Sequence, residues 1–230
     1  QGQMRQALDV VWPLLALAER EQNVDHIIGA CRALGSNLFH AGELQLARQY
    51  QERAIALYDR QQHQWSHIFH YGADSAVICQ ATLAITLWLL GYPDQALACS
   101  EKTLALAEAV AHPFSQTFAL IYIAWFHQLR RARLDAQRCA VAGLALSSQH
   151  NFKGFSGMAA IIHGWALVDQ GQVRAGIQQI EQGVSIWKST GGYIAIPLWQ
   201  SLLAEAYGKD GRPAQGLVLL TEALADLAQR

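Results

Sequence analysis

Residues 81–110 read ATLAITLWLLGYPDQALACSEKTLALAEAV. An apolar stretch of helical length, a Gly-Tyr-Pro-Asp turn and a second amphipathic stretch make a helical hairpin. Pro93 sits just inside the second helix, where its missing N–H is no loss, because the first amides of a helix have no intrahelical partner. The small residue at this turn recurs along the chain as Gly2, Gly42, Gly91, Gly171 and Gly211, with Arg131 in the one slot that lacks glycine. The separations are 40, 49, 40, 40 and 40, so a nine-residue insertion lies between the second and third. Five positions after each comes another small residue: Ala7, Ala47, Ala96, Ala136, Gly176 and Gly216. A register of this length predicts an all-α chain, a right-handed α-solenoid of stacked helical hairpins with a repeat of about 40 residues.

Composition agrees with helices that bury more than one face. The chain has 230 residues, of which 52% are apolar and 15% charged, against about 25% charged in an ordinary soluble domain. Its 17 basic and 18 acidic residues are dispersed and leave a net charge of −1. No basic stripe exists to displace counterions from a phosphate backbone, which argues against a nucleic-acid partner. Cys31, Cys79, Cys99 and Cys139 lie far apart without a C-x-x-C pair, and read as reduced, buried residues of a cytoplasmic protein. The longest apolar runs, LAITLWLL (83–90) and FALIYIAWF (118–126), fall short of the roughly 20 residues that span a bilayer. No signal peptide or membrane association is expected. The chain opens on Gln1 halfway through a hairpin and ends after a second helix, as expected of a fragment of a longer protein.

Aligned on the small residues, one repeat array over 1–230 is expected. A half unit at 1–20 precedes hairpins at 28–60, 76–110, 115–149, 156–189 and 197–229. Residues 61–75 (QQHQWSHIFHYGADS) form the insertion, which lacks a long apolar period and ends in a Gly-Ala-Asp-Ser helix cap. Pro13 is expected to bend or break the first helix. The hairpins match the tetratricopeptide (TPR) pattern, in which a large apolar residue followed by Gly or Ala in the first helix faces a small residue in the second. Leu34-Gly35 with Ala47 and Ala54 fits, as do Leu83-Ala84 with Ala96, Ile123-Ala124 with Ala136, and Leu203-Ala204 with Gly216 and Ala223. His163-Gly164 with Gly176 and Gly183 is a looser match. Small residues at helix crossings let two backbones approach within about 8–10 Å.

LYDRQQH (57–63), LWLLGYPDQAL (87–97), HPFS (112–115), GWAL (164–167) and LLAEAYGK (202–209) occur together in this order. In this they resemble the C-terminal TPR-like repeat region of large bacterial signalling proteins, whose N-terminal part carries a class III adenylate/guanylate cyclase domain and a central ATPase. The resemblance covers nearly the whole chain. It implies a regulatory or partner-binding segment in signal transduction, not catalysis. No G-x-x-x-x-G-K-[ST] loop and no metal-binding aspartate pair is present. Pro13 and the histidines of 63–70 depart from the resemblance.

Each candidate site competes with a purely structural role. Stepping by the period places Ile85, Trp125, Trp165 and Glu205 at one first-helix slot. Trp88 and Gln128 fall three residues later, and Phe118 and Met158 at a third slot. With Ile121 and Ile161 these residues form a candidate binding groove on the concave face, with tryptophan as the residue type that dominates interfaces. The same stripe could equally fill the interior of the array. His63, His67 and His70, at i, i+4 and i+7, would share a helix face and are a weak zinc candidate without an acidic neighbour in sequence. Otherwise no metal and no cofactor is expected. Arg130, Arg131 and Arg133 form the basic cluster of the chain, placed at a turn where cations favour a helix C-terminus. Ser147, Ser148, His150 and Asp135 lie near one another but lack a nucleophile elbow. No constellation supports an enzyme. The expected function is therefore a non-catalytic interaction and regulatory module that binds a partner protein, or its own cyclase or ATPase domains, through the groove. The alternative is a small-molecule sensor using the same tryptophans. Unpaired terminal helix faces predict homo-oligomerisation.

Overall fold

The structure, a computed structural model, describes residues 2–191 and 195–228. Among the described residues there are twelve helices and no strand. In order these are α1 (Gly2–Arg20), α2 (Val24–Ala41), α3 (Leu44–Leu57), α4 (Arg60–Tyr71), α5 (Ser75–Leu89), α6 (Pro93–Val110), α7 (Pro113–Leu129), α8 (Arg133–Gln149), α9 (Lys153–Asp169), α10 (Val173–Ser189), α11 (Ile196–Lys209) and α12 (Pro213–Ala228). Residues 192–194 of the GGYIAIP loop and residue 229 of the last expected helix lie outside the described residues. Contacts group the chain into two compact units, 1–123 and 124–230, that divide within α7.

The repeating small residue is the left-handed residue that ends each first helix. Gly42, Gly91 and Gly171 all adopt φ 85°, and Gly211 adopts 77°. In each case the next residue's N–H reaches back over the helix end, as Glu43 N–H does to Leu38 C=O at 3.0 Å and Tyr92 N–H to Leu87 C=O at 2.9 Å. This closure satisfies carbonyls that a helix end otherwise leaves open, and glycine enters it without a Cβ clash. Arg131 adopts the same conformation at φ 59°, and Ala132 N–H still reaches His127 C=O at 2.9 Å. Gly2 differs from the others, since it is the first residue of α1 rather than a turn.

In the first unit α2 packs on α1, α3 and α5, and α5 packs on α3 and α6. Ile28, Leu34, Ala47, Ala54 and Ile85 there have no exposed surface. In the second unit α9 packs on α8, α10 and α11, and α11 packs on α12. The α9–α10 hairpin is the tightest expression of the small-residue register. A methyl built on Gly176 would lie 2.5 Å from the Gly164 carbonyl oxygen, and one on Gly183 would lie 2.6 Å from that of Gly157. The four cysteines are free thiols; burial pushes the pKa of Cys31, Cys99 and Cys139 up to about 11 and that of Cys79 to about 12. No single described helix is long and apolar enough to cross a membrane.

Three local expectations are corrected. Helix α1 runs through Pro13 without a break. Pro13 is exposed, so the carbonyl its ring deprives of a partner can turn to solvent. Helix α2 begins at Val24 rather than 28, because the Asn23 side chain accepts the His26 N–H at 3.1 Å. The insertion is a helix, α4, not a linker. Asp59 caps it by accepting from Gln61 N–H at 2.8 Å and Gln62 N–H at 3.1 Å. The expected cap of the next helix is Asp74, which accepts from Val77 N–H at 3.0 Å.

The glycine contacts give a paired prediction. Gly176→Ala should destabilise the chain by about 1–3 kcal/mol, because the opposing atom is backbone and cannot swing aside. Gly208, in α11, has nothing within 4 Å of the position that an added methyl would take, so Gly208→Ala should stabilise by about 0.5–1 kcal/mol through helix propensity. Thermal unfolding followed by circular dichroism reads both; equal shifts would contradict the close-approach account.

Candidate functional site

Two polar constellations stand out, one in each unit. In the first unit, α4 is held by side chains that would ordinarily face water. His63 and His67 point inward and Asp25 of α2 meets them, with its Oδ1 at 3.7 Å from His63 Nε2 and 3.4 Å from His67 Nε2. Asp25 Oδ2 accepts from Ser66 Oγ at 2.9 Å. The Asp59 N–H donates to His63 Nδ1 at 2.7 Å, which leaves the ring proton on Nε2, toward Asp25. His67 Nδ1 lies 2.6 Å from Ser75 Oγ at the start of α5. Tyr58 OH donates to Asp74, whose own N–H donates to Ser115 Oγ at 2.9 Å. Burial raises the Tyr58 pKa, and the bond to Asp74 raises it further.

Ser75, His67 and Asp25 have the composition of a hydrolytic trio, but Ser75 and His67 have no exposed surface. A substrate carbonyl cannot reach the seryl oxygen, and the trio acts as a polar clamp on α4. His70 is exposed and does not join His63 and His67. The weak zinc candidate is thereby corrected: among the described residues no group of three or more metal-binding side chains converges.

In the second unit, first helices α9 and α11 and the C-terminal part of α7 gather three tryptophans. The Trp125 and Trp199 ring centroids are 5.5 Å apart, tilted by 58°. The Arg131 guanidinium lies 5.8 Å from the centroid of the Trp165 ring. Trp125 is 7% exposed, Trp165 2% and Trp199 0%. The nitrogens of Trp165 and Trp199 and the side-chain oxygens of Gln128 and Gln200 are buried without a hydrogen-bond partner. Beside them runs a chain of charges. Arg131 Nη1 donates to both Glu205 oxygens at 2.9 Å. Lys209 Nζ lies 3.4 Å from Glu205 Oε1 and 3.2 Å from Asp169 Oδ1, and Arg133 Nη1 lies 3.7 Å from Asp169 Oδ2.

Of the expected groove residues, Trp125, Gln128, Met158, Ile161, Trp165 and Glu205 belong to this second unit, and Ile85, Trp88, Phe118 and Ile121 to the first. Ile85, Ile121 and Ile161 have no exposed surface, and Met158 is 4% exposed. These four are corrected from groove lining to core, because they are wedged between packed helices. Trp88, Phe118 and Glu205 are half-buried, and Phe118 stacks on Tyr122 at 4.0 Å. Sequence reasoning missed Trp199, Gln200, Lys209 and Asp169. Lys209 near the end of α11, like Arg130 just after α7, was the one local signal, and nothing local marked Trp199, Gln200 or Asp169.

No protein-family model matches the chain. Over 172 residues it is 24% identical to an uncharacterized protein of Rhizobium meliloti, a stretch covering 74% of this chain but 16% of that protein. The chain therefore spans about a sixth of the curated relative it matches. Among solved structures, it is similar to a Rap protein complexed with competence and sporulation factor, with TM-score 0.66, 14% identity and coverage of 93% of this chain and 62% of that one. It is also similar to the TPR-like repeats of a Podosopora anserina protein named for kinesin light chain, with TM-score 0.55, 18% identity and coverage of 88% and 95%. The fold is a TPR-like helical repeat.

The buried histidines set a pH dependence. Burial lowers the pKa of His67, and of His40 and His127 to about 4, from an ordinary 6.5. Their unfolded forms bind protons first as pH falls, so the native state is fully favoured above pH 6.5 and loses stability between about 6.5 and 4. Urea midpoints measured across this range should fall steadily and flatten above pH 7. A midpoint that rises on acidification would refute the buried-neutral assignment.

Proposed function

We propose that this chain is a non-catalytic protein-interaction and regulatory module of a larger signalling protein. Its partner docks on the first-helix face of the second unit, using Arg131, Arg133 and Lys209. The observation that carries this reading is Arg131. Where Gly42, Gly91, Gly171 and Gly211 close their turns freely, an arginine accepts a left-handed backbone, a conformation that costs an L-residue about 1–2 kcal/mol. Gln22, Ala111, Asn151 and Ala195 adopt it as well, so the conformation alone assigns no role, and it is the charged contacts of the side chain that single Arg131 out. Here the side chain is exposed and heads a chain of three cations and two carboxylates beside buried indoles. Acidic groups on a partner would exchange with Glu205 and Asp169, which adds specificity and association rate more than raw affinity.

The partner is another protein or a neighbouring domain of the same polypeptide, such as the cyclase or ATPase that the sequence resemblance implies. The Rap protein of similar fold was solved with a factor bound, which supports a holding role in kind. A second reading, a small-molecule sensor, rests on the unpartnered buried atoms of Trp165, Trp199, Gln128 and Gln200, since such atoms call for water or a ligand.

Arg131→Gly separates binding from stability. Its backbone relaxes while it loses an exposed ion pair worth about 0.2–1 kcal/mol, so the melting temperature should hold or rise. Capture of the partner from lysate should fall roughly tenfold, in line with loss of an arginine anchor, and should weaken as salt is raised. Capture that survives both Arg131→Gly and Lys209→Ala would overturn the assignment. A saturable shift in tryptophan emission on adding a metabolite, without protein capture, would favour the sensor reading.

A further inference from the structure

Successive first helices of the second unit end in charges that meet one another. Asp169 of α9 and Lys209 of α11 occupy one register position, 40 residues apart, and Asp169 Oδ1 lies 3.2 Å from Lys209 Nζ. At the start of α8, Arg133 Nη1 lies 3.7 Å from Asp169 Oδ2 and donates to the Asp169 carbonyl at 3.4 Å. Arg131, in the α7–α8 turn, passes over the intervening repeat and donates to both oxygens of Glu205 in α11 at 2.9 Å, a pair separated by 74 residues. The α7–α8 turn, α9 and α11 are thus joined in a closed triangle of side chains. Lys209 Nζ, 3.4 Å from Glu205 Oε1, completes its corner on α11. Charged neighbours in sequence are engaged elsewhere: the Arg130 guanidinium lies 5.7 Å from the centroid of the Phe126 ring, and Asp210 holds Arg212 at 2.7 Å. Three cations therefore face two carboxylates, and the triangle can accept a further negative charge.

The triangle adjoins aromatic surface. The Arg131 guanidinium lies 5.8 Å from the centroid of the Trp165 ring. Trp165 is 2% exposed, although its side-chain nitrogen has no hydrogen-bond partner. Trp125 of α7 and Trp199 of α11, with the same offset as Arg131 and Glu205, meet at 5.5 Å. The approach of α7 to α11 is therefore made twice, once by rings and once by an ion pair. Each link of the triangle is partly exposed, and alone such a pair is weak and screened by salt. In a closed cycle any two links hold the third pair of groups together, so its formation needs little further ordering. Closure also makes release cooperative. A carboxylate that draws Arg131 from Glu205 removes the polar link between α7 and α11 and frees Glu205 to compete with Asp169 for Lys209.

We propose that this triangle is a clasp. Closed, it holds the α7–α8 turn against Trp165; opened by the carboxylates of an acidic protein segment, it admits that segment to the indole. The part played by the segment rests on the docking proposed above, whereas the clasp is a property of the free chain.

The test labels the 230-residue chain with 5-fluorotryptophan and follows its seven tryptophans by fluorine NMR, with Trp165→Phe assigning the Trp165 signal. An uncharged gadolinium chelate reports solvent access. At about 0.01 M salt, where charges act over roughly 30 Å, Trp165 of the parent should be shielded, while Trp65, 74% exposed, should relax strongly. Glu205→Gln should raise the Trp165 relaxation about threefold or more as the open population grows, with helical circular dichroism unchanged. Arg131→Lys, which keeps the charge but loses the two-pronged bond, should give a smaller rise. NaCl at about 1 M should bring the parent toward Glu205→Gln. Hexaglutamate at low salt should do the same, and hexaglutamine should not. Trp165 equally shielded in the parent, in both variants and in high salt would overturn the clasp, because packing alone would then close the indole. Hexaglutamate without effect on a clasp that Glu205→Gln opens would overturn its release by carboxylates. Partner capture that depends on Arg131 while Trp165 stays shielded throughout would sink the clasp and keep the docking reading; opening without any such capture would do the reverse.

Discussion

Backbone-to-backbone contact between paired helices is the constraint on which this molecule is built. Where Gly164 faces Gly176, and Gly157 faces Gly183, there is no room for a methyl group, so the hairpin is specified by absence of side chain as much as by apolar packing. Helices at that distance fix each other's rotation, and rotation decides which residues turn inward. The burial of Ile161, Ile162 and Ile180 follows from it. Left-handed residues at the helix ends then hold the chain at the tight reversal that such closeness requires.

Much of this is legible in the chain because closeness and reversal both demand particular residues. Gly42, Gly91, Gly171 and Gly211 mark the turns, Ala47, Ala96 and Ala136 the crossings, and Asp74 a cap. What is not legible has physical causes too. Helix α4 buries His63, Gln64 and His67, and buried polar residues leave no apolar period to read. The groove assignment of Ile85, Ile121 and Ile161 fails because a stripe facing a groove and a stripe facing a neighbouring helix have the same spacing. Arg131 and Glu205 pair across 74 residues, and no local pattern announces such a bond. Pro13 has the chemistry of a helix breaker, and the exposure of its surroundings decides otherwise.

The two units solve the burial of polar groups differently. In the first, Asp25, His63, His67, Ser75, Tyr58 and Asp74 form a polar network that ties an extra helix to the repeat, beside the apolar packing of Ile68 on Val77, Ala107, Val110 and Ala119. Such networks are sensitive to protonation, since each member relies on the state of the next. In the second, the ion pairs lie near the surface, and the buried polar atoms without a partner belong to indoles, amides, the imidazoles of His127 and His163 and the Nε of Arg133. A surface charge chain is labile and exchangeable, whereas a buried clamp is not. That contrast is why recognition is assigned to Arg131 and its companions, and architecture to the histidines.

The thiols carry a consequence of their own. Disulfide exchange requires a thiolate, and values near 11 and 12 leave almost none at neutral pH. The four cysteines are not cross-linked to one another, so nothing in the described fold depends on a sulfur bridge.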